Sequence, residues 1–304
     1  MSTGPHTGAK RLREMLKDPN KIVVCPGVYD GLTSRIAISQ GFDALYMTGS
    51  GTSMSRLGWA DLGMATLTDM TANAEMIANL DTSVPLIADA DTGYGGPIMV
   101  SRTVANYARA GVAALHIEDQ IHEKRCGFLK GKAVVEREVW YSRLRAAINA
   151  REKMQSDIVI IGRTDSRQNL GFDEAIERLK EAKEIGVDVV ILEAIQSKEE
   201  CKKVCEIMGD MPVLFNMVPG AGPFDLTVEE AKALGFRLII FPGVCSSKVL
   251  DGVNQSLALL KSSGKEEAYN GGGVQKLFKT CGLDDCVEID RMAGGKAYEK
   301  VHQV

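Results

Sequence analysis

Eight short apolar runs divide this chain, and amphipathic stretches with helical spacing lie between them. Each run has four to six residues, and several are rich in β-branched side chains, a pattern typical of strands buried on both faces. The runs are residues 22–25, 44–47, 84–88, 112–117, 158–161, 187–192, 212–215 and 238–241. Eight strand-then-helix units predict parallel pairing through right-handed crossovers, and therefore an α/β fold that closes into a (β/α)8 barrel of the TIM type.

An open, doubly wound sheet is the alternative, but acidic residues at the downstream ends of so many runs favour closure. The length of 304 residues suits one barrel domain, residues 1–304. Within it we expect an N-terminal helix in residues 1–20 and a C-terminal helical tail in residues 264–304. The glycine-rich segment 270–273, which precedes most of that tail, is interpreted as a hinge. A tail outside a closed barrel must bury its apolar positions elsewhere, and a neighbouring subunit is the expected place.

Composition and charge exclude several classes of partner. Lys plus Arg number 36 against 40 for Asp plus Glu, and a net charge of −4 gives no reason to expect nucleic acid. No apolar run approaches the roughly 18 residues that a membrane span needs. The seven cysteines are scattered and show no Cys-x-x-Cys spacing, which suits a reducing compartment. We expect a cytoplasmic enzyme; the basic residues near Met1 keep the mitochondrial matrix open as an alternative.

Polar side chains follow the apolar runs at the ends that a parallel barrel brings to one face, where barrel enzymes hold their active sites. These residues are Tyr46, Thr48, Gly49, Ser50, Asp89, Asp91, His116, Glu118, Arg163, Asp165, Glu193 and Asn216. Carboxylate oxygens without sulfur ligands suit Mg²⁺, with Mn²⁺ as an alternative, better than zinc. The acids at these strand ends therefore predict a site for a divalent cation. Salt bridges or helix caps could account for any one of these residues, but not easily for the set.

Two loops near these ends have a composition that suggests chemistry. Small residues at positions 48–51 let backbone N–H groups approach an anion such as a substrate carboxylate. Further along, Cys126 lies between Lys124-Arg125 and Gly127. A thiol flanked by cations is expected to have a lowered pKa and to be reactive, and the glycine gives the loop freedom to move.

Six segments, in this order and at this spacing, resemble the isocitrate lyase and phosphoenolpyruvate mutase superfamily. They are GVYDG (27–31), YMTG (46–49), DADTGYG (89–95), HIEDQ (116–120), KRCG (124–127) and GRTD (162–165). Within the superfamily the chain is most similar to the group of 2-methylisocitrate and 2,3-dimethylmalate lyases, of which the fungal oxaloacetate acetylhydrolases are close relatives. The resemblance covers most of the chain, from about residue 10 to beyond residue 290.

The resemblance implies a Mg²⁺-dependent lyase that cleaves a 2-hydroxy di- or tricarboxylate to a 2-oxo acid and a carboxylate. It also implies a homotetramer, built from two dimers whose subunits exchange their last helix. The metal would lie near Asp89, Asp91 and Glu118, partly through water, and Cys126 on a mobile loop would act as acid or base at carbon. The candidate catalytic residues are Cys126, Lys124, Arg163, Glu118 and His116. The candidate substrate-binding residues are Tyr46, Thr48, Gly49, Ser50, Asp61, Gly127, Phe128, Glu193, Asn216 and Pro242.

The chain departs from the family pattern at Phe128, where the lyases carry His after the Cys-Gly pair. A phenyl ring cannot donate the hydrogen bond that an imidazole gives to a carboxylate. One interpretation is that lyase activity is weakened or lost; the other is that the pocket accepts a less polar fragment than succinate or propionate. His122 lies near in sequence and is a candidate to compensate, although a surface position is the simpler expectation.

A second departure is Pro242, where the acetylhydrolases resemble one another in carrying Ser. Proline has no hydroxyl to help bind a hydrated oxaloacetate, so we rank oxaloacetate hydrolysis below C–C lysis. The mutases lack the loop cysteine found here, which makes an isomerase less expected. A non-catalytic binding homologue would be expected to have lost the metal-site acids, and all three are present.

Overall fold

Eight parallel strands form a closed barrel in the computed structural model, which describes residues 7–127, 129–267, 273–298 and 301. Each strand pairs with the next along the chain, and β8 pairs with β1 to close the cylinder. The strands are β1 Val23–Val28, β2 Leu45–Met47, β3 Leu86–Asp89, β4 Ala114–Glu118, β5 Val159–Thr164, β6 Val189–Leu192, β7 Val213–Asn216 and β8 Leu238–Phe241. The predicted barrel is confirmed, and the open-sheet alternative is wrong.

The helices alternate with the strands and form the outer layer. They are α1 Thr7–Lys17, α2 Gly31–Ser39, α3 Gly49–Thr52, α4 Leu67–Ala78, α5 Pro97–Arg109, α6 Arg137–Lys153, α7 Arg167–Leu170, α8 Phe172–Ile185, α9 Lys198–Met208, α10 Val228–Ala233, α11 Ser246–Ser263, α12 Gly273–Thr280 and α13 Leu283–Met292. Several begin at capping boxes, such as the one in which Asp30 and Thr33 satisfy each other's backbone N–H groups. Such caps fix where each helix leaves its strand.

Helix α1 closes the end of the barrel at which the strands begin. Leu12 is fully buried and packs with inward-facing strand residues such as Val23 and Ile161. The guanidinium of Arg13 donates to the carbonyls of Asp157 and Ile158, directly before β5. Because this end is sealed by apolar packing and hydrogen bonds, the barrel opens only where the strands end.

The C-terminal helices pack differently from the rest. Helices α11, α12 and α13 contain no buried residue in this chain, and apolar side chains such as Leu250, Phe278 and Ile289 are more than half exposed. The tail is helical, as predicted, while helix exchange with a partner stays a prediction. The hinge interpretation falls on residues 270–272, which lie outside the described residues, and on Gly273, the first residue of α12. Among the helices that the structure describes, none combines the length and apolarity of a membrane span.

Candidate active site

The strand ends gather predicted residues around a small cavity of about 140 Å³. Its lining residues are Tyr46, Thr48, Ser50, Asp61, Asp89, Lys124, Cys126, Gly127, Arg163, Asn216, Val218, Pro242 and Gly243. The structure therefore brings the loop thiol, a strand-end carboxylate and a guanidinium to one space. Asp91, His116, Glu118 and Glu193 do not line this cavity, and Phe128 lies outside the described residues.

The three predicted metal-site acids are all buried at the ends of β3 and β4. The Oδ1 atom of Asp89 accepts a hydrogen bond from the backbone N–H of Asp91 at 2.8 Å. Burial raises the pKa of Asp91 to about 7 and that of Glu118 well above its ordinary value. Burial would also raise the pKa of Asp89, but His116, Lys124 and Arg163 together hold it below its ordinary value. This end of the site is thus acidic and favours a cation.

Lys124 supplies one positive charge to that acidic end. Its Nζ lies 2.5 Å from Oδ1 of Asp91 and 2.9 Å from Oδ1 of Asp61, and the residue is only 3% exposed. Burial lowers its pKa, yet the surrounding carboxylates, Asp91 and Glu118 foremost, raise it well above the ordinary value. Lys124 is therefore a cation directed at carboxylates, while Arg125 donates to the carbonyl of Lys130. The lowered thiol pKa expected for Cys126 stays a prediction.

Tyr46 and His116 form a stacked pair behind the acids. The tyrosine hydroxyl is hydrogen-bonded to Nε2 of His116 at 2.9 Å, and the ring centroids are 5.8 Å apart. His116 Nδ1 has no hydrogen-bond partner and lies 3.7 Å from Oδ1 of Asp89. Burial lowers the pKa of His116 to about 4, so the ring is neutral at pH 7. In this arrangement His116 reaches the cavity through the hydroxyl of Tyr46.

Arg163 joins the acids to the opposite wall. Its Nε lies 2.9 Å from Oδ2 of Asp165 and 3.4 Å from Oε2 of Glu118, and its Nη2 lies 3.5 Å from Oε2 of Glu193. The same Glu193 oxygen accepts a hydrogen bond from Nδ2 of Asn216 at 3.0 Å. Burial lowers the pKa of Arg163, but Asp165, Glu118 and Glu193 raise it well above its ordinary value. A fixed cation beside the cavity can receive a substrate carboxylate.

The loop that carries Cys126 is pinned to the barrel at its base. The buried amide of Gln120 donates to Oε1 of Glu118 and to the carbonyl of Arg125, both at 2.9 Å, and accepts from the N–H of Arg125. The backbone N–H of Cys126 donates to the carbonyl of Asp61. A Cβ on Gly127 would lie 2.8 Å from Nη2 of Arg163, so any larger residue here would displace this guanidinium from its place beside the cavity.

Two residues of this network escaped the sequence analysis. Gln120 belongs to the HIEDQ segment, but nothing in the sequence indicates that its amide connects Glu118 to the loop backbone. Lys132 is fully buried, with its Nζ 2.5 Å from Oδ1 of Asp165. A lysine in a polar loop gives no sequence signal of burial; only the position of its partner does. His122 is hydrogen-bonded to Thr92 and lines a separate cavity, so it does not replace the missing loop imidazole.

The acids fit a hydrated metal ion better than a direct cage. Within the described ranges, no three His, Cys, Asp or Glu side chains stand close enough to form a ready chelate. However, Oε2 of Glu118 is buried and makes no hydrogen bond, and its contact with Nε of Arg163 is long, at 3.4 Å. A buried carboxylate oxygen without a hydrogen bond, in an acid with a raised pKa, is a donor that a hard cation uses, and Mg²⁺ keeps several of its waters. The residues present are therefore compatible with Mg²⁺ held partly through water.

Comparisons with known proteins find a family model and relatives that match most of this chain. The family model described as phosphoenolpyruvate phosphomutase matches residues 12–260. The chain is 41% identical over 234 residues to 2,3-dimethylmalate lyase of Eubacterium barkeri, which covers 77% of this chain and 79% of that protein. It is 39% identical over 232 residues to 2-methylisocitrate lyase of Aeropyrum pernix, and the match covers 76% of this chain and 72% of that protein.

Solved structures give the same picture over nearly the whole chain. A crystal structure of 2,3-dimethylmalate lyase superposes with a TM-score of 0.93 at 49% identity, covering 96% of this chain and 97% of that one. A structure of oxaloacetate acetylhydrolase with the inhibitor 3,3-difluorooxalacetate superposes with a TM-score of 0.94 at 49% identity, and the match covers 96% of this chain and 99% of that one. Both kinds of relative are thus equally similar to this chain in backbone and sequence.

Proposed function

We propose a substrate for this chain, which belongs to the phosphoenolpyruvate mutase/isocitrate lyase superfamily and is a carbon–carbon lyase. The proposed substrate is a 2-hydroxy dicarboxylate of the 2,3-dimethylmalate type, with 2-methylisocitrate as a larger alternative. The observation that carries the proposal is the shared cavity in which Cys126 adjoins Asp89 and Arg163. A carboxylate-binding cation, an acidic metal-binding edge and a proton donor are the parts that this cleavage needs.

The chemistry of the chain's own residues follows from their positions. Arg163 and the backbone at residues 48–50 bind the carboxylate next to the 2-hydroxyl carbon. The 2-hydroxyl proton passes to the Tyr46 oxygen as the Tyr46 proton moves to Nε2 of the neutral His116, the C2–C3 bond breaks, and its electron pair passes to C3. Cys126 delivers its thiol proton to C3, giving a 2-oxo acid and a saturated carboxylate, and regains a proton before the next cycle. Glu193 and Asn216 frame the departing fragment, and the loop excludes water from the carbanion.

A divalent cation is part of the proposal, Mg²⁺ foremost and Mn²⁺ as an alternative. When bound, it would be held by Asp89, Asp91 and Glu118, in part through water, and would stabilise negative charge on the 2-oxygen. The raised pKa values of Asp91 and Glu118 support this assignment, because these buried acids lack sufficient positive charge. Chelation with EDTA should abolish turnover, and added Mg²⁺ should restore it.

The direct test is incubation with 2,3-dimethylmalate and Mg²⁺, with pyruvate and propionate measured as products. 2-Methylisocitrate, giving pyruvate and succinate, is the parallel assay. Equal amounts of the two products from either substrate would support the proposal. Failure of both substrates, with protein that is folded and supplied with metal, would overturn it.

Oxaloacetate hydrolysis is the second candidate, favoured by the superposition on oxaloacetate acetylhydrolase. Pro242 lines the small cavity at the end of β8 and brings no hydroxyl to it. We therefore keep this activity below C–C lysis. Release of oxalate and acetate from oxaloacetate, faster than pyruvate from dimethylmalate, would reverse the order.

The position of Phe128 in the sequence, directly after Cys126-Gly127, suggests which substrates the site prefers. A phenyl group after Cys126-Gly127 favours a fragment less polar than succinate, since it cannot donate to a second carboxylate. We expect Phe128→His to gain at least about tenfold in kcat/KM on substrates that release succinate, the worth of about one hydrogen bond to a charged group. A panel of 2-alkyl-malates and citrates compares the two proteins. No gain on any short diacid would remove Phe128 as the determinant.

The assembly and location complete the proposal. We propose a homotetramer of helix-exchanged dimers, supported by the exposed apolar side chains of α11 and α13. Light scattering of the full chain measures the mass directly.

We also propose a cytoplasmic location, with the mitochondrial matrix as the alternative, because the scattered cysteines of the sequence suit a reducing compartment.

A further inference from the structure

A second and larger cavity of about 610 Å³ adjoins the small one at the same end of the barrel. The two cavities share Gly127, Asn216 and Val218 among their lining residues. Gly127 follows Cys126 directly, so the shared boundary lies beside the proposed proton donor. A substituent on the carbon that Cys126 protonates is therefore the part of the substrate best placed to enter the larger space.

One part of the wall of the larger cavity is apolar. It comes from the ends of β6 and β7 and the connections that follow, and its buried or half-buried apolar residues are Leu192, Ile195, Phe215, Met217, Val218 and Phe224. The rings of Phe215 and Phe224 stack with centroids 6.3 Å apart, which gives this wall a fixed shape. Apolar surface of this kind stabilises alkyl groups by removing them from water.

Charge at the boundary argues against a second carboxylate. Glu193 lines the larger cavity and is almost fully buried, and its Oε2 atom accepts from Asn216. An anionic substituent entering the larger cavity would be repelled by the carboxylate of Glu193. Two cations lie at the rim: Lys130 is exposed to solvent, and Arg167 is already paired with Glu200, at 2.7 Å. An uncharged chain meets none of this repulsion.

We propose that the larger cavity binds an unbranched alkyl substituent, propyl or longer, on the substrate carbon that receives the proton from Cys126. The orientation rests on the proposed function. The preferred substrates are then 2-methyl-3-alkylmalates: the C2–C3 bond breaks, the electron pair and the Cys126 proton go to C3, and the products are pyruvate and a straight-chain carboxylate. With a 3-propyl group the second product is pentanoate.

The test compares 2,3-dimethylmalate with 2-methyl-3-propylmalate, with pyruvate release measured on the full-length enzyme with Mg²⁺. Each buried methylene contributes about 0.8 kcal/mol, or about fourfold, so two extra methylenes should raise kcat/KM about 15-fold. Ala221→Trp fills the larger cavity from an exposed position that does not line the small one. It should lower kcat/KM for the propyl substrate at least tenfold and leave that for the dimethyl substrate within twofold. The matched control, Ala233→Trp, is exposed on α10 and should change neither.

The outcomes separate this inference from the function beneath it. A propyl preference that Ala221→Trp removes and Ala233→Trp keeps supports it. Cleavage of dimethylmalate with no gain for the propyl substrate, or equal losses on both substrates in Ala221→Trp, overturns the alkyl site and leaves the lyase function standing. No pyruvate from either substrate overturns the proposed function and this inference with it.

Discussion

Two buried lysines bracket the loop that carries Cys126, and they differ in what surrounds them. Lys124 lies before Cys126, at what we call the near end of the loop; it contacts Asp61 and Asp91 and lines the small cavity. Lys132 lies after Cys126, at the far end of the loop; it contacts Asp165 and is absent from that cavity's lining. Both are at most 3% exposed, so burial does not distinguish them. Their partners do.

The difference is one of charge balance. Asp165 has two cations, Lys132 and Arg163, and although burial raises its pKa these cations lower it to about 2. Lys124 faces an excess of carboxylates, and burial leaves Asp91 with a pKa raised to about 7. At the far end of the loop, the charge of Asp165 is neutralised by Lys132 and Arg163, and this ion pair holds the loop in place. At the near end, the carboxylates around Lys124 exceed the cations, so a bound cation or substrate can change which groups Lys124 contacts. We infer that Lys132 contributes to stability and Lys124 to chemistry.

The largest effect should come from Cys126, which lies on the loop between the two lysines. Cys126→Ser keeps the shape of the side chain but replaces the thiol by a much weaker acid, so turnover of 2,3-dimethylmalate should fall at least about 10³-fold. Melting temperature and Mg²⁺ affinity should stay unchanged, because neither lysine pair is altered. Cys281→Ser, at an exposed thiol, is the control. Turnover at the parent rate would remove the thiol from the mechanism.

Lys124→Met should come next, with kcat/KM lower by about 10²–10³-fold, the usual cost of losing one electrostatic contact in an active site. Its melting temperature should fall less than that of the Lys132 variant, since Asp91 can take up a proton when its partner is lost. Lys124→Arg keeps the charge and serves as the comparison. An inactive Lys124→Met protein that is also unfolded at 25 °C would contradict the assignment to chemistry.

Lys132→Met should show the opposite pattern. Removing one partner of a buried ion pair costs about 3–5 kcal/mol of unfolding free energy, and the remaining contact with Arg163 places this case at the lower end. Activity per folded molecule should stay within about fivefold, measured beside urea unfolding. Lys132→Met/Asp165→Asn removes both charges and should recover part of the loss. If Lys132→Met is as stable as the parent but inactive, the two lysines do not divide their roles as inferred.

The barrel could be predicted from the sequence because each strand carries its own signal. All eight apolar runs overlap an observed strand, although the first and fifth end three residues early and the third, fourth and seventh end one residue early. Asp89 and Glu118 are the last residues of β3 and β4, because Asp89 pairs with His116 and Glu118 with Arg163. Apolar patterning cannot show this extension; the pairing partners on the neighbouring strand set it.

The site was predictable to the extent that parallel strands bring their ends together. That argument placed Tyr46, Asp89 and Arg163 around one cavity, as the structure has them. It could not show what each charge contacts. Lys124 contacts Asp61, which is 63 positions away in the sequence, and Lys132 contacts Asp165, which is 33 positions away. Such pairs depend on how the loops fold over the barrel, and the periodicity of the sequence does not predict them.

The smallest expected effect concerns acid, and it probes the balanced pair directly. A carboxyl whose pKa is lower in the folded state adds stability that is fully present above its unfolded pKa, about 3.9, and is lost as the pH falls toward its folded value. With a folded pKa of about 2 for Asp165, the difference in unfolding free energy between the parent and Asp165→Asn should be constant from pH 5 to 8. It should shrink by at most about 2 kcal/mol between pH 4 and pH 2. In a Lys132→Met background the shrinkage should be smaller and should end at higher pH, since the loss of one of the two cations raises the folded pKa of Asp165 toward its unfolded value. Urea unfolding at half-unit pH steps measures both curves; if they superimpose, Lys132 does not hold Asp165 in its charged form, and the far end of the loop is fixed by something other than this pair.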